Sequence, residues 1–412
     1  MSKLPLRARL ATGLGGAAST VSRLTGRGDG SVIGGVLGLR VEPELLRLLA
    51  AGRQIVLVTG TNGKTTTTRL ITAALGALGQ EVASNAFGAN MEAGLASALG
   101  RAPEAPYAVL ETDERYLPAV IRATRPRVVT LLNLSRDQMD RAAEIWLIAR
   151  RWRETLALAT DCLVIANADD PLIAWAAGAA RHVTWVAAGQ RWHEDSWCCP
   201  ECGSHLRRDP LGWRCGECPF ARPPTPWVLD DGSVIDALGQ VRELDLALPG
   251  RANRSNAVVA LAVADHFGIG VDDALPLLRT VTSVAGRYTL VERNGVKIRL
   301  LLAKNPAGWL EAFDVLTQGG APVLLAVNAQ VPDGKDTSWL WDVDYRVLRE
   351  RPVLVAGERR LDLAVRLEAD QVIFDLVDGL DDAIGRVRSG HLDVIANYTA
   401  FQQIRAVLGR AQ

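Results

Sequence analysis

The chain of 412 residues lacks a charge excess of either sign, because 46 lysines and arginines balance 46 aspartates and glutamates. Proteins that bind nucleic acid over a broad surface usually carry a basic excess, so this balance argues against that class. The chain also lacks any uninterrupted apolar stretch near the roughly 20 residues that a membrane-spanning helix needs. No lysine occurs between Lys64 and Lys297, which excludes lysine chemistry from the middle of the sequence.

The N-terminal segment carries several cations around a short apolar stretch and could be mistaken for a secretory signal peptide. The cations are Lys3, Arg7, Arg9 and Arg23. The apolar stretch, residues 10–16, is short and broken by glycines, so we predict that the chain stays in the cytoplasm. Peripheral contact with the inner face of the plasma membrane fits this segment. We expect residues 1–40 to be irregular, with at most one short helix.

The most informative motif is the glycine-rich segment Val-Thr-Gly-Thr-Asn-Gly-Lys-Thr-Thr at residues 58–66. It follows the apolar run 55–58, which predicts a strand, and it precedes residues 67–75, which predict a helix. A strand, a glycine loop, a lysine, a hydroxyl and a helix form the arrangement that holds the phosphates of a nucleotide. Val58 stands where the common form of the motif has its first glycine. The alternative is a strand-to-helix turn without a ligand, which leaves Gly-Lys-Thr-Thr unexplained.

Each polar position of this loop has a chemical reason. Gly60 and Gly63 allow backbone N–H groups to approach phosphate oxygens closely, and Lys64 can reach the outer phosphates. Thr65 offers a hydroxyl to Mg²⁺. Glu111 ends a later apolar strand, and a carboxylate there can hold the same ion; the alternative is a surface acid at a strand end.

Four of the six cysteines form the pattern C-x2-C, a spacer of twelve residues, and C-x2-C. They are Cys199, Cys202, Cys215 and Cys218. Four thiolates at this spacing predict a closed tetrahedral Zn²⁺ site, and a module as small as residues 193–227 needs the metal to fold. Two disulfides are the alternative, which a cytosolic location disfavours. Cys198 does not fit the spacing of the doublets. Cys162 lies in an apolar run that predicts a strand, so we expect it to be a core residue.

Short apolar runs alternate with helical stretches from residue 55 onward, which predicts an α/β fold with a parallel sheet. Examples are residues 107–110, 128–132 and 162–166, and each ends in polar residues. Ligands of such sheets gather at the carboxyl ends of the strands. After Pro249-Gly250 a second α/β pattern begins. We therefore predict an N-terminal extension (1–45), a central ATP-binding domain (46–249, with the insertion 193–227) and a C-terminal α/β domain (250–412).

Taken in chain order, these features resemble the Mur ligase family, ATP-dependent enzymes of peptidoglycan precursor synthesis. The resemblance implies a Mur-ligase-like central ATPase domain and a Rossmann-like C-terminal domain. It implies that Glu111 binds Mg²⁺ with Thr65, that Asn253 meets the adenine and that Arg287 reaches ATP from the C-terminal domain. The family's phosphate loop has a shorter glycine spacing, which accounts for Val58. The loop residues implied to bind ATP are Gly60, Thr61, Asn62, Gly63, Lys64, Thr65 and Thr66.

At several positions the chain differs from the amino-acid-adding members of the family, and these differences argue against that activity. Gln138 replaces their metal-binding histidine, and the carbamylated lysine that they often use is impossible here. Lys304 stands where they usually have a histidine, and Leu301 replaces a ribose-binding aspartate. Only about 50 residues precede the loop, so we expect no uridine-binding N-terminal domain.

One branch of the family, the MurT branch, accounts for these departures. That branch carries a four-cysteine zinc insertion and the C-terminal motif Asp-Gly-x-Asp-x-Ser-Trp, which matches residues 333–339. The resemblance implies ATP-dependent amidation of the D-glutamate α-carboxylate of the lipid II stem peptide to D-isoglutamine, through an acyl phosphate. It also implies that a separate glutaminase subunit, GatD, supplies the ammonia within a heterodimer.

Glutaminases commonly use a cysteine nucleophile that a histidine activates, and none of the five histidines of this chain forms an obvious pair with a free cysteine. The resemblance implies that this chain instead contributes an aspartate to the partner's catalytic triad. Asp336 is our candidate, with Asp333 and Asp342 as rivals. The alternative is structural: Asp333-Gly334 makes a turn, and Asp336 caps the helix that follows.

Two other functions remain open from the sequence. The first is an amino-acid-adding ligase, such as a tripeptide or folylpolyglutamate synthase, against which the departures argue. The second is a zinc-ribbon NTPase that binds nucleic acid. The ribbon mixes basic and acidic residues, which makes a poor phosphate-binding surface. These residues are Arg207, Arg208 and Arg214, and Glu194, Asp195, Glu201, Asp209 and Glu217.

Overall fold

A computed structural model describes residues 4–24, 32–85, 89–136, 145–210, 212–284, 287–316, 320–388 and 390–409. The described residues divide into two compact units. The first comprises Met1–Ser135, Glu144–Leu248 and Ala252–Thr282. The second comprises Ser283–Gln412 with the short segments Arg136–Ala143 and Pro249–Arg251.

A nine-stranded, mostly parallel sheet forms the centre of the first unit, in the order β11-β10-β9-β6-β5-β4-β1-β3-β2. Its strands are β1 (Gln54–Thr59), β2 (Val82–Ser84), β3 (Tyr107–Glu111), β4 (Val128–Leu131), β5 (Leu163–Asn167), β6 (His182–Ala187), β9 (Trp227–Asp230), β10 (Ser233–Ile235) and β11 (Val241–Glu243). The two strands between β6 and β9, β7 (Leu206–Asp209) and β8 (Gly212–Cys215), make a separate antiparallel hairpin. Only the β9–β10–β11 edge of the large sheet is antiparallel. The predicted parallel sheet is therefore confirmed.

Ten helices accompany this sheet in the described part of the first unit. They are α1 (Leu6–Leu24), α2 (Ile33–Val41), α3 (Leu45–Ala50), α4 (Lys64–Leu75), α5 (Glu92–Arg101), α6 (Leu117–Thr124), α7 (Ile145–Leu158), α8 (Pro171–Ala177), α9 (Arg251–His266) and α10 (Val271–Arg279). A 3₁₀ turn, Gly76–Leu78, follows α4. The alanine-rich helix α9 belongs to the same hydrophobic core as α4 and β1. The predicted domain boundary near residue 250 therefore differs from the division into units by these last two helices, α9 and α10.

The described residues of the N-terminal segment, 4–24 and 32–41, are mostly helical, so the prediction of an irregular region was wrong. Several of its glycines, but not Gly16, are contact points between helices rather than turn residues. A Cβ on Gly15 of α1 would lie 2.5 Å from the carbonyl oxygen of Gly34 in α2, and a Cβ on Gly35 would overlap the carbonyl of Ala93 in α5. Small residues thus let α1, α2 and α5 pack at close range. Among the described residues, no helix combines the length and the apolar character needed to cross a bilayer.

The second unit is a six-stranded sheet in the order β12-β13-β17-β14-β15-β16, and every pair except β12–β13 is parallel. Its strands are β12 (Tyr288–Arg293), β13 (Val296–Leu302), β14 (Val323–Ala326), β15 (Val353–Ala356), β16 (Phe374–Leu376) and β17 (His391–Ala396). Its helices are α11 (Pro306–Val315), α12 (Arg360–Ala369), α13 (Leu380–Arg386) and α14 (Tyr398–Gly409), with 3₁₀ turns at Ser338–Asp342 and Tyr345–Leu348. Alternate residues of β14 enter two separate cores, so helices cover both faces of a Rossmann-like sheet, as predicted.

The close contact between α2 and α5 generates a stability prediction. Gly35→Ala should lower the free energy of unfolding by about 1–3 kcal/mol, because the added methyl group overlaps the Ala93 carbonyl. Gly16→Ala is the matched control on α1, since a Cβ there meets nothing within 4 Å. Urea unfolding measures both variants. Equal stabilities for the two variants would contradict the packing described for α2.

Candidate functional site

The loop between β1 and α4 requires glycine at two positions. Gly60 has φ 140°, and a Cβ on it would lie 2.9 Å from the backbone nitrogen of Asn133. Gly63 has φ 85° directly before α4, and a Cβ on it would lie 2.6 Å from the side-chain oxygen of Asn256. Both values of φ favour glycine, and both sites leave no room for a side chain. The two glycines therefore set a tight strand-to-helix turn.

Two residues that follow β4 hold this loop from the side. The Asn62 backbone N–H donates to the Asn133 side-chain oxygen at 2.9 Å, and the Asn133 amide donates back to the Asn62 carbonyl at 3.1 Å. The Thr61 hydroxyl donates to the Ser135 carbonyl at 3.1 Å and accepts from the Ser135 N–H at 3.0 Å. These hydrogen bonds fix the loop conformation before α4 begins.

The Lys64 ammonium is buried and fully engaged in hydrogen bonds. It donates to the carbonyls of Gly60 and Thr61 and pairs with the Glu114 carboxylate at 2.9 Å. A buried ammonium needs such partners, because unpaired charge in the interior is costly. No sequence pattern indicated Glu114, since it lies fifty positions after Lys64 in a segment without a motif.

Thr65 and Glu111 meet as the sequence predicts. The Thr65 hydroxyl donates to Glu111 Oε2 at 2.8 Å, and Glu111 is 2% exposed. Neighbouring oxygen ligands of octahedral Mg²⁺ lie about 2.9 Å apart, so this pair has the donor type and the spacing that the ion takes. Asn85 fixes the backbone of Glu111 through two hydrogen bonds of 2.7 Å, a role that the sequence did not reveal.

Residues 167–170, which we call the strand-end segment after β5, have a structural role. The Asn167 amide donates to the Leu132 carbonyl at 2.9 Å. Asp170 caps α8 by accepting from two backbone N–H groups, and it also accepts from the Leu134 N–H at 2.8 Å. Burial raises the pKa of Asp170 to about 6. Asp170 therefore supports residues 133–135, the segment that holds the phosphate loop.

The four predicted cysteines come together in one cluster. Their sulfur atoms all lie within 4.8 Å of one another, with 3.7 Å between Cys199 and Cys218 and 3.4 Å between Cys202 and Cys215. A disulfide bond would be about 2.05 Å long, so the two-disulfide alternative does not hold here. Sulfur ligands of tetrahedral Zn²⁺ lie about 3.8 Å apart, so the cluster fits that ion. The Glu217 N–H donates to the Cys215 sulfur at 3.4 Å, as is suitable for a thiolate.

The other two cysteines stand apart from this cluster. Cys162 is buried at the start of β5, and burial raises the pKa of its thiol to about 12, which makes it an inert core residue as predicted. Cys198 is exposed and does not join the four.

The cysteine module is attached to the strand-end segment after β5. The Trp213 indole donates to the Ala168 carbonyl at 2.9 Å, and its ring lies 4.9 Å from that of Phe220. Arg222 forms a 2.7 Å ion pair with Asp169. Trp213 is buried in a small core with two of the cysteines, so its ring packs within the module.

The remaining residues of the predicted ATP site lie on separate elements. Asn253 is half-buried in the first turn of α9, and Arg287 directly precedes β12 in the second unit. Leu301 is buried in β13, and the Lys304 ammonium lies 5.3 Å from the centre of the Tyr398 ring. Gln138 lies outside the described residues. The shared role of Asn253 and Arg287 in binding ATP stays a prediction.

The three candidate aspartates of the second unit have different surroundings. Asp333 is half-buried and accepts from the Thr399 N–H at 2.9 Å and from the Thr399 hydroxyl. Asp336 is exposed, and hydrogen bonds from Ser338 lower the pKa of its carboxyl. Asp342 lies 3.4 Å from Arg136, which belongs to the same unit. Asp336 therefore offers an ionised carboxylate at the surface, whereas Asp333 joins two parts of the fold.

The chain is similar in sequence and in fold to the Mur-type ligases. The family model for the Mur ligase middle domain matches residues 58–264. Solved structures share the fold: a pseudomurein peptide ligase type C from Methanothermus fervidus superposes with a TM-score of 0.68 at 19% identity, over 87% of this chain and 79% of that one. MurF ligase from Thermotoga maritima, in complex with ADP, gives 0.62 at 17% identity, over 89% and 82%. The fold is that of the Mur-type ligases.

Within the Mur-type ligases, the chain is similar to the MurT subunits. The family model for the MurT ligase C-terminal region matches residues 302–401. The lipid II isoglutaminyl synthase (glutamine-hydrolyzing) subunit MurT of Staphylococcus aureus strain COL is 30% identical over 96% of both chains. The subunit of the same name from Streptococcus pneumoniae R6 is 28% identical over 93% of this chain and 94% of that one. The chain belongs to the MurT family of Mur-type ligases.

Proposed function

We propose that the protein is the synthase subunit that amidates the D-glutamate α-carboxylate of the lipid II stem peptide to D-isoglutamine, using ATP. The observation that carries this proposal is the full-length similarity to subunits named for lipid II isoglutaminyl synthase. The arrangement of Lys64, Thr65 and Glu111 supports the use of ATP. The absence of any lysine from 65 to 296 removes the carbamylated lysine that amino-acid-adding relatives often use.

The reaction needs ATP because a carboxylate is a poor electrophile. The carboxylate oxygen attacks the γ-phosphorus of ATP, ADP leaves, and an acyl phosphate forms. Ammonia then attacks the acyl carbon, phosphate leaves with the bonding electrons, and a proton lost from nitrogen completes the amide. Phosphoryl transfer of this kind depends mainly on positioning and on neutralising charge.

Residues of this chain would carry out both tasks in the first step. The loop N–H groups and Lys64 would bind the phosphates, and the buried ion pair of Lys64 with Glu114 would be exchanged for phosphate oxygens. Thr65 and Glu111 would hold Mg²⁺, which neutralises phosphate charge when it is bound. Asn253 and Arg287 would complete the ATP site.

Ammonia would come from a glutaminase partner, GatD, in a heterodimer. The relatives are named as subunits of a glutamine-hydrolysing enzyme, which implies a second chain. The exposed, ionised carboxylate of Asp336 could accept a hydrogen bond from a histidine of that partner. We place the complex in the cytoplasm.

The proposed magnesium ligand gives a direct test. Glu111→Gln keeps the size of the side chain and can still accept from Thr65, but it removes the charge. We expect kcat/KM for ATP, measured with free ammonia as the nitrogen source, to fall by about 10²–10³-fold. Glu243→Gln, on the exposed strand β11, is the control and should keep full activity. Unchanged activity in Glu111→Gln would exclude this residue from the site.

The aspartates of the second unit give a second test. Asp336→Asn should abolish glutamine-dependent amidation and leave ammonia-dependent amidation near the wild-type rate, because only the ammonia supply is affected. Asp342→Asn is the matched control and should keep both activities. Equal loss of both activities in Asp336→Asn, or selective loss in Asp342→Asn, would refute the assignment.

We further propose that the cysteine cluster binds one Zn²⁺. Metal analysis should find one zinc ion per chain, and Cys202→Ser should lose it and unfold at a lower temperature, since the small module depends on the metal. Cys198→Ser changes the neighbouring exposed cysteine and should keep both zinc and stability. Zinc retained in Cys202→Ser at the wild-type level would contradict the four-cysteine site.

A further inference from the structure

Helix α1 presents large apolar side chains to solvent along one face. Leu6, Leu10 and Leu14 are 71%, 57% and 49% exposed, and Val21 is 58% exposed. At about 100° per residue these four positions fall within a quarter of the helix circumference. We call them the α1 outer face. Soluble proteins seldom leave so many large apolar groups contiguous and uncovered without a binding role.

The opposite side of α1 is the side that packs against the rest of the unit. Its buried positions are Ala8, Ala11, Gly15, Ser19 and Ser22. They are small, and they let α2 approach closely at Gly34. The usual amphipathic pattern is therefore reversed: small residues face the protein, and leucines face outward. Packing against the described residues of the unit does not explain the leucines.

Positive charge borders the α1 outer face on both sides. Arg7 lies about 100° from Leu6 around the helix in one direction, and Arg9 lies about 60° in the other. Both are exposed. The Arg7 guanidinium donates to the Val41 carbonyl at 2.7 Å and lies 3.8 Å from the Glu42 carboxylate, which fixes its place at the border.

The sequence around the face is strongly biased in charge. Residues 4–24 contain no acidic residue. Across residues 1–41 there are six basic residues and one acidic residue, a difference of five positive charges at pH 7; they are Lys3, Arg7, Arg9, Arg23, Arg27 and Arg40, and Asp29. This bias stands out in a chain whose total charge is zero.

An apolar face with cationic borders matches one kind of surface in particular. Leucines can enter the boundary between lipid headgroups and acyl chains while arginines contact anionic headgroups. A second copy of the chain fits poorly, because a two-fold contact would bring like charges together. We propose that the α1 outer face binds the surface of an anionic phospholipid membrane, with α1 lying in the plane of the interface.

This inference does not depend on the ligase reaction. If the proposed function also holds, the contact would bring the active site to a lipid-linked substrate. Because vesicle binding is measured without ATP, glutamine or a partner subunit, failure of one proposal is distinguishable from failure of the other.

Sedimentation of the full chain with vesicles tests the proposal. The chain should bind vesicles of phosphatidylcholine mixed with phosphatidylglycerol, should bind pure phosphatidylcholine weakly, and should dissociate as salt increases. The double variant Leu10→Ser/Leu14→Ser should lower the vesicle affinity on the order of tenfold or more, because it removes apolar groups from the interface. Leu238→Ser is the matched control, since Leu238 is 83% exposed outside this helix.

Charge reversal provides an independent variant that leaves the apolar residues intact. Arg9→Glu should weaken binding to anionic vesicles and leave the thermal unfolding temperature unchanged. Three results would overturn the proposal: no binding of the wild type to anionic vesicles, equal loss in Leu238→Ser, or wild-type vesicle binding in both α1 variants. If the α1 variants instead lose self-association or binding to a protein partner, the face serves a protein and not a membrane.

Discussion

The contact between Thr65 and Glu111 depends on the parallel pairing of β1 with β3, and the rest of the candidate site is arranged around it. Val58 pairs with Glu111 in this register, so the carboxylate is fixed beside the loop that β1 leads into. On the other side, β4 pairs with β1, and the chain that follows β4 brings Asn133 to Asn62. A shift of one residue in the β1–β3 pairing would turn the Glu111 side chain to the other face of the sheet.

Support for the loop extends outward in layers. Asn133 and Ser135 hold the loop directly, and Asp170 holds the chain between them at Leu134. The neighbours of Asp170 then connect to the cysteine module, through Trp213 to Ala168 and Arg222 to Asp169. Through residues 168–170, the module is therefore part of the structure that supports the phosphate loop. This connection gives a physical reason for the position of the module in the first unit.

Local patterns in the sequence predicted most of the fold and the motifs of the site. The buried strands, the glycine loop and the cysteine doublets are recognisable because each depends on residues close together in the chain. Asn85 and Glu114 could not be found in this way, since their partners are chosen by the folded sheet and no motif surrounds them. Glycine misled the prediction for residues 1–40: its low helix propensity suggested irregular chain, whereas close packing of α1 on α2 requires it. The prediction assigns α9 to the C-terminal domain, whereas its burial partners lie in the first core, at positions distant in sequence.

We propose that ATP activates one carboxylate for attack by ammonia that a second polypeptide releases from glutamine. This proposal is tested by mass spectrometry of the stem peptide after lipid II has been incubated with the chain, its glutaminase partner, ATP and glutamine. We expect the hydroxyl of the D-glutamate α-carboxyl to be replaced by an amino group, with nitrogen that derives from the glutamine amide. Consumption of ATP and glutamine with an unaltered stem peptide would contradict it.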